Sequence, residues 1–362
     1  MEIFLTILTI LLLLAFAFIL VMFYCFMKVF YVKTRPDPKE EYPIPEGKVY
    51  QKHRAQLIKY IKAARSMSHK NVEITSHDGL KLRGKFYEYA TDAPIELMLH
   101  GYRGNSERDL SGGIIRAFAL GHSVLIVDLR GCGKSEGHIA TFGILESKDC
   151  MAWIDYILDY IDFSAKIILT GVSMGAATVM MTATHEDLPQ NVIGVLADCG
   201  YTSPKEIISK VVDDMGLPRK LIYPIIRLSG KVFGGFDIEE YSPLEAMERF
   251  TLPIIFFHGD DDKFVPKEMS IENFEACASP VKDLVLIEGA DHGLAYITDP
   301  TKYVIRLRDF FAPIKDEDYD PLKDTRFLES EKSHRSFDND SDNDELFSDD
   351  DGDITEIEDI IL

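Results

Sequence analysis

The sequence has few cysteines and few basic residues, and both shortages narrow the classes of protein to which it can belong. None of the five cysteines is spaced for a structural metal site or for a disulfide framework, and scattered thiols suit a reducing compartment. The 39 Lys and Arg residues are outnumbered by 60 Asp and Glu, and no basic patch is present, which disfavours nucleic acid as a partner. The cysteines are Cys25, Cys132, Cys150, Cys199 and Cys277.

Charge is absent from the 25 residues of Ile3–Met27, a run long enough to cross a bilayer, for which about 20 residues suffice. A cleavable signal peptide would need a basic start, a shorter apolar stretch and a small-residue cleavage site. Here only Glu2 precedes the run, whereas Lys28, Lys33 and Arg35 follow it. We predict an uncleaved, single-pass anchor in the cell membrane, and the positive-inside rule places the following domain in the cytoplasm.

The last 48 residues, 315–362, carry 19 acidic against 5 basic residues, so that −14 of the net charge of −21 lies there. This composition predicts a disordered acidic tail, which could bind a basic partner. The alternating stretch 338–349 suggests a calcium loop, but Asn343 stands where that loop needs glycine and Asp349 where it needs glutamate. We therefore discount a specific calcium site.

Between the two ends, apolar strands alternate with helical segments, which predicts an α/β fold with a mostly parallel central sheet covered by helices on both faces. We divide the chain into a transmembrane anchor and its flank (1–35), a juxtamembrane linker and helix (36–70), the α/β domain (71–314) and the tail (315–362). The helix of the second segment is predicted over 49–66 and could pack on the domain or rest on the membrane. About 199–250, an apolar helical insertion interrupts the alternation and is predicted to form a lid over a pocket. The alternative is an extra packing element without substrate contact. The predicted strands are 71–76, 81–87, 95–99, 123–127, 166–170, 192–197, 253–257 and 283–287. Helices are predicted around 114–120, 146–160 and 301–311.

Gly171-Val172-Ser173-Met174-Gly175 lies between one of these strands and a helix of small residues. A serine at such a sharp turn has a strained backbone and projects its hydroxyl above the sheet edge, and the flanking glycines allow close approach of the neighbouring backbone. The N–H of Met174, at the start of the helix, would point to where an oxyanion forms. Ser173 is thus the candidate nucleophile.

A second Gly-x-Ser-x-Gly sequence, around Ser135, lacks this context. It follows a turn rather than a strand, and no helix of small residues comes after it. It is not a phosphate-binding P-loop either, because the required first glycine falls on Asp128. We interpret Ser135 as a loop residue.

A serine nucleophile needs a histidine base and a carboxylate that orients it. On a fold with this strand-to-helix turn, their order along the chain should be Ser, then Asp or Glu, then His. Two strand ends downstream supply candidates, and open α/β sheets place their sites at such ends. The first end runs from His258 to Pro266 and contains three adjacent aspartates, and the second contains Asp291 and His292. His185, at the far end of the helix after Ser173, is better explained as a surface residue or as a residue that caps the helix.

The chain from about Asn71 to Pro313 resembles the α/β-hydrolases of the serine-hydrolase type, close to the monoacylglycerol-lipase-like and serine-aminopeptidase-like branch. The family pattern His-Gly-x-x-Asp-x-x-Val-Pro matches the first strand end, which implies that Asp262, rather than Asp260 or Asp261, is the acid. The late Gly-x-x-His pattern implies that His292 is the base, with Asp291 a turn residue beside it.

The resemblance also extends to His100-Gly101-Tyr102-Arg103-Gly104, which is similar to the family's oxyanion loop. It implies that the N–H groups of Tyr102 and Met174 form the oxyanion hole and that His100 is a structural hydrogen-bonding residue.

The resemblance implies a serine hydrolase that works through an acyl-enzyme and needs no cofactor. The predicted anchor and apolar lid favour a carboxylic ester of a lipid or a medium-sized acyl molecule as its substrate, and no metal site is predicted. Two alternatives stay open from the sequence. The same branch includes peptidase-like members, so an amide substrate is one alternative. The other is a membrane-tethered scaffold that kept the fold and lost turnover.

Overall fold

A computed structural model describes residues 1–33 and 40–314 of the chain. The predictions for the acidic tail, 315–362, and for residues 34–39, where the anchor's flank meets the juxtamembrane linker, lie outside the described residues.

Eight strands form one sheet in the order β1-β2-β4-β3-β5-β6-β7-β8. β1 and β2 form an antiparallel hairpin, β2 is antiparallel to β4, and every other neighbouring pair is parallel. The predicted mostly parallel sheet is thereby confirmed. The strands are β1 (Lys70–Thr75), β2 (Lys81–Tyr87), β3 (Ile95–Leu99), β4 (Ser123–Val127), β5 (Ile167–Val172), β6 (Val192–Asp198), β7 (Ile254–Gly259) and β8 (Lys282–Ile287).

Helices cover both faces of the sheet, because buried strands that are apolar throughout present side chains to both sides. In β5, Ile167 and Leu169 belong to the same apolar cluster as the helix that follows Ser173, whereas Ile168 packs with the last helix on the opposite face. The helices are α1 (Glu2–Val29), α2 (Lys48–Lys52), α3 (Arg54–Ser66), α4 (Ser106–Ala119), α5 (Ile144–Tyr156), α6 (Met174–Thr182), α7 (Pro204–Asp214), α8 (Arg219–Ser229), α9 (Pro243–Met247), α10 (Lys267–Ala276), α11 (Ala295–Thr298) and α12 (Pro300–Ile314).

Helix α1 is 28 residues long, and its most apolar 18-residue window has a mean hydropathy of 3.1 and no buried residue. By length and composition it can cross a membrane, although a signal sequence would have the same two properties.

The long insertion between β6 and β7 contains α7, α8 and α9, and α8 continues into a short π-helical turn, Gly230–Gly234. Tyr223 and Ile226 of α8 are buried, whereas Leu221 and Leu228 on its other side are 63% and 40% exposed. The insertion is therefore helical and amphipathic. Its role as a lid stays a prediction.

The juxtamembrane helix packs on the domain. Tyr60 and Ile61 of α3 are 3% and 1% exposed, and Tyr60 stacks on Tyr296. Sequence reasoning merged α2 and α3 into one run, 49–66, which breaks at His53. It also missed α10.

Candidate active site

Ser173 occupies the turn between β5 and α6, with φ 56° and ψ −115°, a backbone conformation that is strained for any residue with a side chain. The residues two positions before and two positions after it must be glycine for steric reasons. A Cβ on Gly171 would overlap the backbone of Gly175, and a Cβ on Gly175 would overlap the carbonyl oxygen of Leu99. The sequence forms this turn because only these glycines let β5, α6 and the end of β3 come so close.

The structure brings Ser173, His292 and Asp262 together at the carboxyl edge of the sheet. Ser173 Oγ lies 3.0 Å from His292 Nε2, and His292 Nδ1 lies 2.7 Å from Asp262 Oδ2. These residues follow β5, β8 and β7, respectively, so three parallel strands that end at the same edge supply the arrangement. This is the hydrogen-bond chain through which a serine can pass its proton to an oriented imidazole.

Asp262 is held as a carboxylate by four groups. Its Oδ1 accepts hydrogen bonds from the backbone N–H of Phe264 and Val265, both at 2.9 Å, and its Oδ2 faces His292 and, at 3.2 Å, His258 Nε2. Burial alone would raise the pKa of Asp262, but the hydrogen bonds from His258 and His292 outweigh it and hold that pKa well below its ordinary value. The group therefore stays ionised at neutral pH.

His258 is a member of the site to which sequence reasoning gave no role. It is fully buried, its Nε2 lies 2.8 Å from the carbonyl oxygen of Val265, and its Nδ1 lies 2.6 Å from Ser270 Oγ. A carbonyl can only accept, so Nε2 carries a proton, and the same nitrogen faces Asp262 Oδ2. Like His292, His258 thus contacts Asp262 and helps to hold it in place. Its position four residues before Asp262 was the feature of the sequence that could have indicated this contact.

The loop after β3 lies against the candidate nucleophile. A Cβ on Gly101 would lie 3.4 Å from Ser173 Cβ and 3.9 Å from its Oγ, and Tyr102 is the next residue. His100 anchors the start of this loop, since its Nε2 accepts from the N–H of Leu129 at 3.0 Å and its Nδ1 lies 2.7 Å from the carbonyl of Gly101. The oxyanion role of the Tyr102 and Met174 N–H groups stays a prediction.

The competing aspartates are engaged outside the Ser173–His292 pair. Asp260 accepts from the N–H of Gly289 at 2.7 Å, and Asp261 pairs with Lys263. Asp291 accepts at 2.7 Å from the backbone N–H of His292 and so shapes the turn that carries the base.

The two other candidates are likewise bonded elsewhere. Ser135 Oγ donates to the carbonyl of Asp128 at 2.6 Å and accepts from the N–H of Arg83 at 2.8 Å, which makes it a loop residue held in place. His185 lies past the end of α6, where its Nδ1 accepts from the N–H of Asp187 at 3.3 Å.

Three further side chains border the site. The Tyr50 hydroxyl donates to the carbonyl of His292 at 3.1 Å, and the Phe264 ring lies edge-on to the His292 ring at 5.0 Å. Cys199 Sγ lies within 4.8 Å of ligand atoms of Asp262 and His292, so these three could in principle hold a cation. Burial raises the pKa of the Cys199 thiol, however, and metal binding needs the thiolate.

Comparisons with known proteins agree with this architecture. Residues 97–220 match the family model described as the alpha/beta hydrolase fold. The chain is 26% identical to the uncharacterized protein YqkD of Bacillus subtilis over 198 residues, which cover 54% of this chain and 64% of that protein. It is 25% identical to the protein bem46 of Schizosaccharomyces pombe over 223 residues, which cover 60% of this chain and 68% of bem46.

Among solved structures, the esterase Pf2001 of Pyrococcus furiosus superimposes with a TM-score of 0.57 at 23% identity, covering 75% of this chain and 96% of the esterase. This match shows the fold. The chain therefore has the α/β-hydrolase fold. Its membership of the superfamily, its branch within it and a hydrolase activity stay predictions.

Proposed function

We propose that this protein is a membrane-anchored serine hydrolase that cleaves carboxylic esters through an acyl-enzyme intermediate. The observation that carries the proposal is the continuous hydrogen-bond chain from Ser173 through His292 to Asp262, with distances of 3.0 Å and 2.7 Å. A scaffold that had lost turnover would have no need for a strained serine backbone directed at an imidazole.

In the proposed mechanism, His292 Nε2 takes the proton of Ser173 while Oγ attacks the acyl carbonyl carbon. Asp262 accepts the Nδ1–H bond, keeps the imidazole in the productive tautomer and stabilises the imidazolium. The N–H groups of Tyr102 and Met174 stabilise the oxyanion, and His292 then gives its proton to the leaving alcohol. A water molecule, activated in the same way, releases the acyl group and regenerates Ser173.

An apolar acyl substrate and a membrane location are supported by the apolar surface around the domain. Helix α1 is exposed and apolar over most of its length, and the insertion exposes Leu221, Leu228 and Val232. Such surface is unusual on a protein surrounded by water alone and is typical of contact with lipid. We extend the proposal to a catalytic domain that is tethered to the cell membrane and lies in the cytoplasm. The basic residues that follow α1 support this orientation by the positive-inside rule.

The test is hydrolysis of p-nitrophenyl esters of increasing acyl length by the full chain in detergent, beside the Ser173→Ala variant. We expect turnover that depends on chain length and that falls to the uncatalysed rate in the variant. The matching p-nitroanilides measure amide cleavage in the same assay, and a preference for them would replace the ester reading with the peptidase reading. Equal activity of the wild type and Ser173→Ala would reject the serine mechanism.

A further inference from the structure

The last turns of α1 are part of the hydrolase domain rather than a free tether. Along the helix, Ile3 is 78% exposed and Val21 is still 46% exposed, but Met22, Phe26 and the following Phe30 are 4%, 6% and 0% exposed. These three residues are spaced four apart and so lie on one face of the helix, whereas Phe23 and Tyr24 on other faces are still 47% and 62% exposed. The buried end of α1 therefore has a protein partner.

That partner includes the loop that lies against Ser173. The Tyr102 hydroxyl donates to the carbonyl of Val29 at 2.6 Å. The Arg103 guanidinium donates through Nη2 to the carbonyls of Lys28 and Tyr31, at 2.9 Å and 2.7 Å. Carbonyls at the C-terminal end of a helix have no partner within the helix, and a cation is favoured there. Two consecutive residues of the loop thus cap the end of the apolar helix.

Backbone pairing holds the exit of α1 to the same region. The N–H of Val32 donates to the carbonyl of His138 at 2.7 Å, and the N–H of Ala140 donates to the carbonyl of Phe30 at 2.9 Å. The Phe142 ring, which follows this segment, packs against the Phe30 ring. The end of α1 is therefore fixed to the domain independently of the loop.

The same Phe142 ring stacks on Tyr102 with ring centroids 5.1 Å apart, so the loop and the exit of α1 share a partner. Arg103 has a φ of 54°, the left-handed region that a residue with a long side chain rarely adopts. A strained backbone of this kind persists only where its surroundings determine it. In this loop the side chains of Tyr102 and Arg103 connect it to the end of α1.

We infer that the end of α1 positions the oxyanion loop, with the Tyr102 and Arg103 side chains as positioning residues, so that the anchor helix sets the turnover rate as well as the location. This inference rests on the proposed function. The backbone N–H of Tyr102 would contact the oxyanion, and the two side chains would act only by holding that N–H above Ser173. Loosening them should weaken transition-state stabilisation and leave ground-state binding almost unchanged.

The experiment uses the full chain in detergent, with kcat expressed per serine that a fluorophosphonate labels at completion. Because loss of an entire oxyanion donor costs about 10²–10³ in kcat, a displaced donor should cost less, and we expect Arg103→Met to lower kcat about tenfold with KM within about twofold. Arg103→Lys, which can still donate to one carbonyl, should recover part of that loss. Tyr102→Phe removes one hydroxyl, keeps the ring stack on Phe142 and should lower kcat in the same way.

A matched pair outside the site serves as control. Arg65 lies over the Tyr42 ring as Arg103 lies over Tyr102, with guanidinium-to-ring distances of 5.0 Å and 4.7 Å, and Arg65 also donates to a backbone carbonyl, that of Glu41. Arg65→Met and Tyr42→Phe should leave kcat and KM unchanged. If the site variants keep wild-type kcat, raise KM alone, or lose no more than the control variants, the inference is wrong.

The isosteric Tyr102→Phe keeps the test decisive should Arg103→Met fail to fold. A wild-type chain that neither hydrolyses esters nor takes the label would reject the proposed function and the inference with it. A wild type that is active, beside a Tyr102→Phe variant that is equally active, would reject the inference alone.

Discussion

Replacement of Asp262 by asparagine should abolish most of the activity by reversing the tautomer of His292. The Oδ1 position accepts from the N–H groups of Phe264 and Val265, so the amide oxygen of the introduced asparagine must occupy it, because an NH₂ group cannot accept. The amide nitrogen then takes the Oδ2 position, 2.7 Å from His292 Nδ1, and donates to it. Nε2 would consequently carry the proton and could no longer accept one from Ser173.

A change of tautomer of this kind costs about 10⁴ in kcat in a serine-protease triad. We expect a loss of that order for Asp262→Asn, measured as kcat on the best p-nitrophenyl ester with the active fraction determined by exhaustive fluorophosphonate labelling. Asp261→Asn is the matched control, because Asp261 is the adjacent aspartate and pairs with Lys263 instead of a histidine. Retention of more than about a tenth of the wild-type kcat in Asp262→Asn, or an equal loss in Asp261→Asn, would refute the reasoning.

Two further predictions concern stability. Tyr50→Phe should lower the free energy of unfolding by about 0.5–1.5 kcal/mol, because it leaves the carbonyl of His292 without the 3.1 Å hydrogen bond from the Tyr50 hydroxyl, and chemical denaturation of wild type and variant measures the difference. Glu96→Gln should cost about 3–5 kcal/mol in the same experiment, because it leaves the buried Arg116 guanidinium without its charge partner. Burial alone would raise the pKa of Glu96, but Arg116 and His122 lower it to about 2, against about 4.3 in the unfolded chain. This contribution to stability is thus complete above about pH 4.3 and is lost as the pH falls towards 2, so the wild type should lose more stability than the variant over that interval. A variant as stable as the wild type, or one with the same acid dependence, would contradict the Glu96 prediction.

The strands were predictable because a central parallel strand is buried on both faces and therefore appears as a short apolar run. The predicted bounds of β3 and β4 coincide with the observed ones, 95–99 and 123–127, and the turn at Ser173 was visible because its glycines are sterically required. Motifs adjacent to strand ends also let the sequence nominate Ser173, Asp262 and His292, whose side chains the structure brings within hydrogen-bond distance.

Helix starts were less predictable because they depend on caps rather than on apolar spacing. Helix α4 begins at Ser106, eight residues before the predicted start, since the Asn105 side chain accepts from the N–H of Arg108 at 2.9 Å and caps the first turn. Helix α10 follows Pro266 and carries few apolar residues at helical spacing, so periodicity gave no signal for it.

Contacts between distant segments could not be predicted from the sequence at all. Tyr50 reaches His292 across 242 residues, and Arg103 reaches Lys28 across 75. No local pattern records such a contact, because it depends on where the fold places both partners. The segments before residue 71 therefore contact the residues around the site through α1 and α2, although their sequences suggested only an anchor, a linker and a helix that could pack on the domain.

The central claim, that Ser173 is an activated nucleophile, is tested most directly by fluorophosphonate labelling of the full chain. The sequence supplies its own control in Ser135, the serine of the other Gly-x-Ser-x-Gly, whose hydroxyl is engaged by Asp128 and Arg83 rather than by a histidine. We predict labelling of the wild type and of Ser135→Ala and none of Ser173→Ala, with the adduct located on Ser173 by mass spectrometry. Labelling that persists in Ser173→Ala, or a wild type that does not react, would contradict the account.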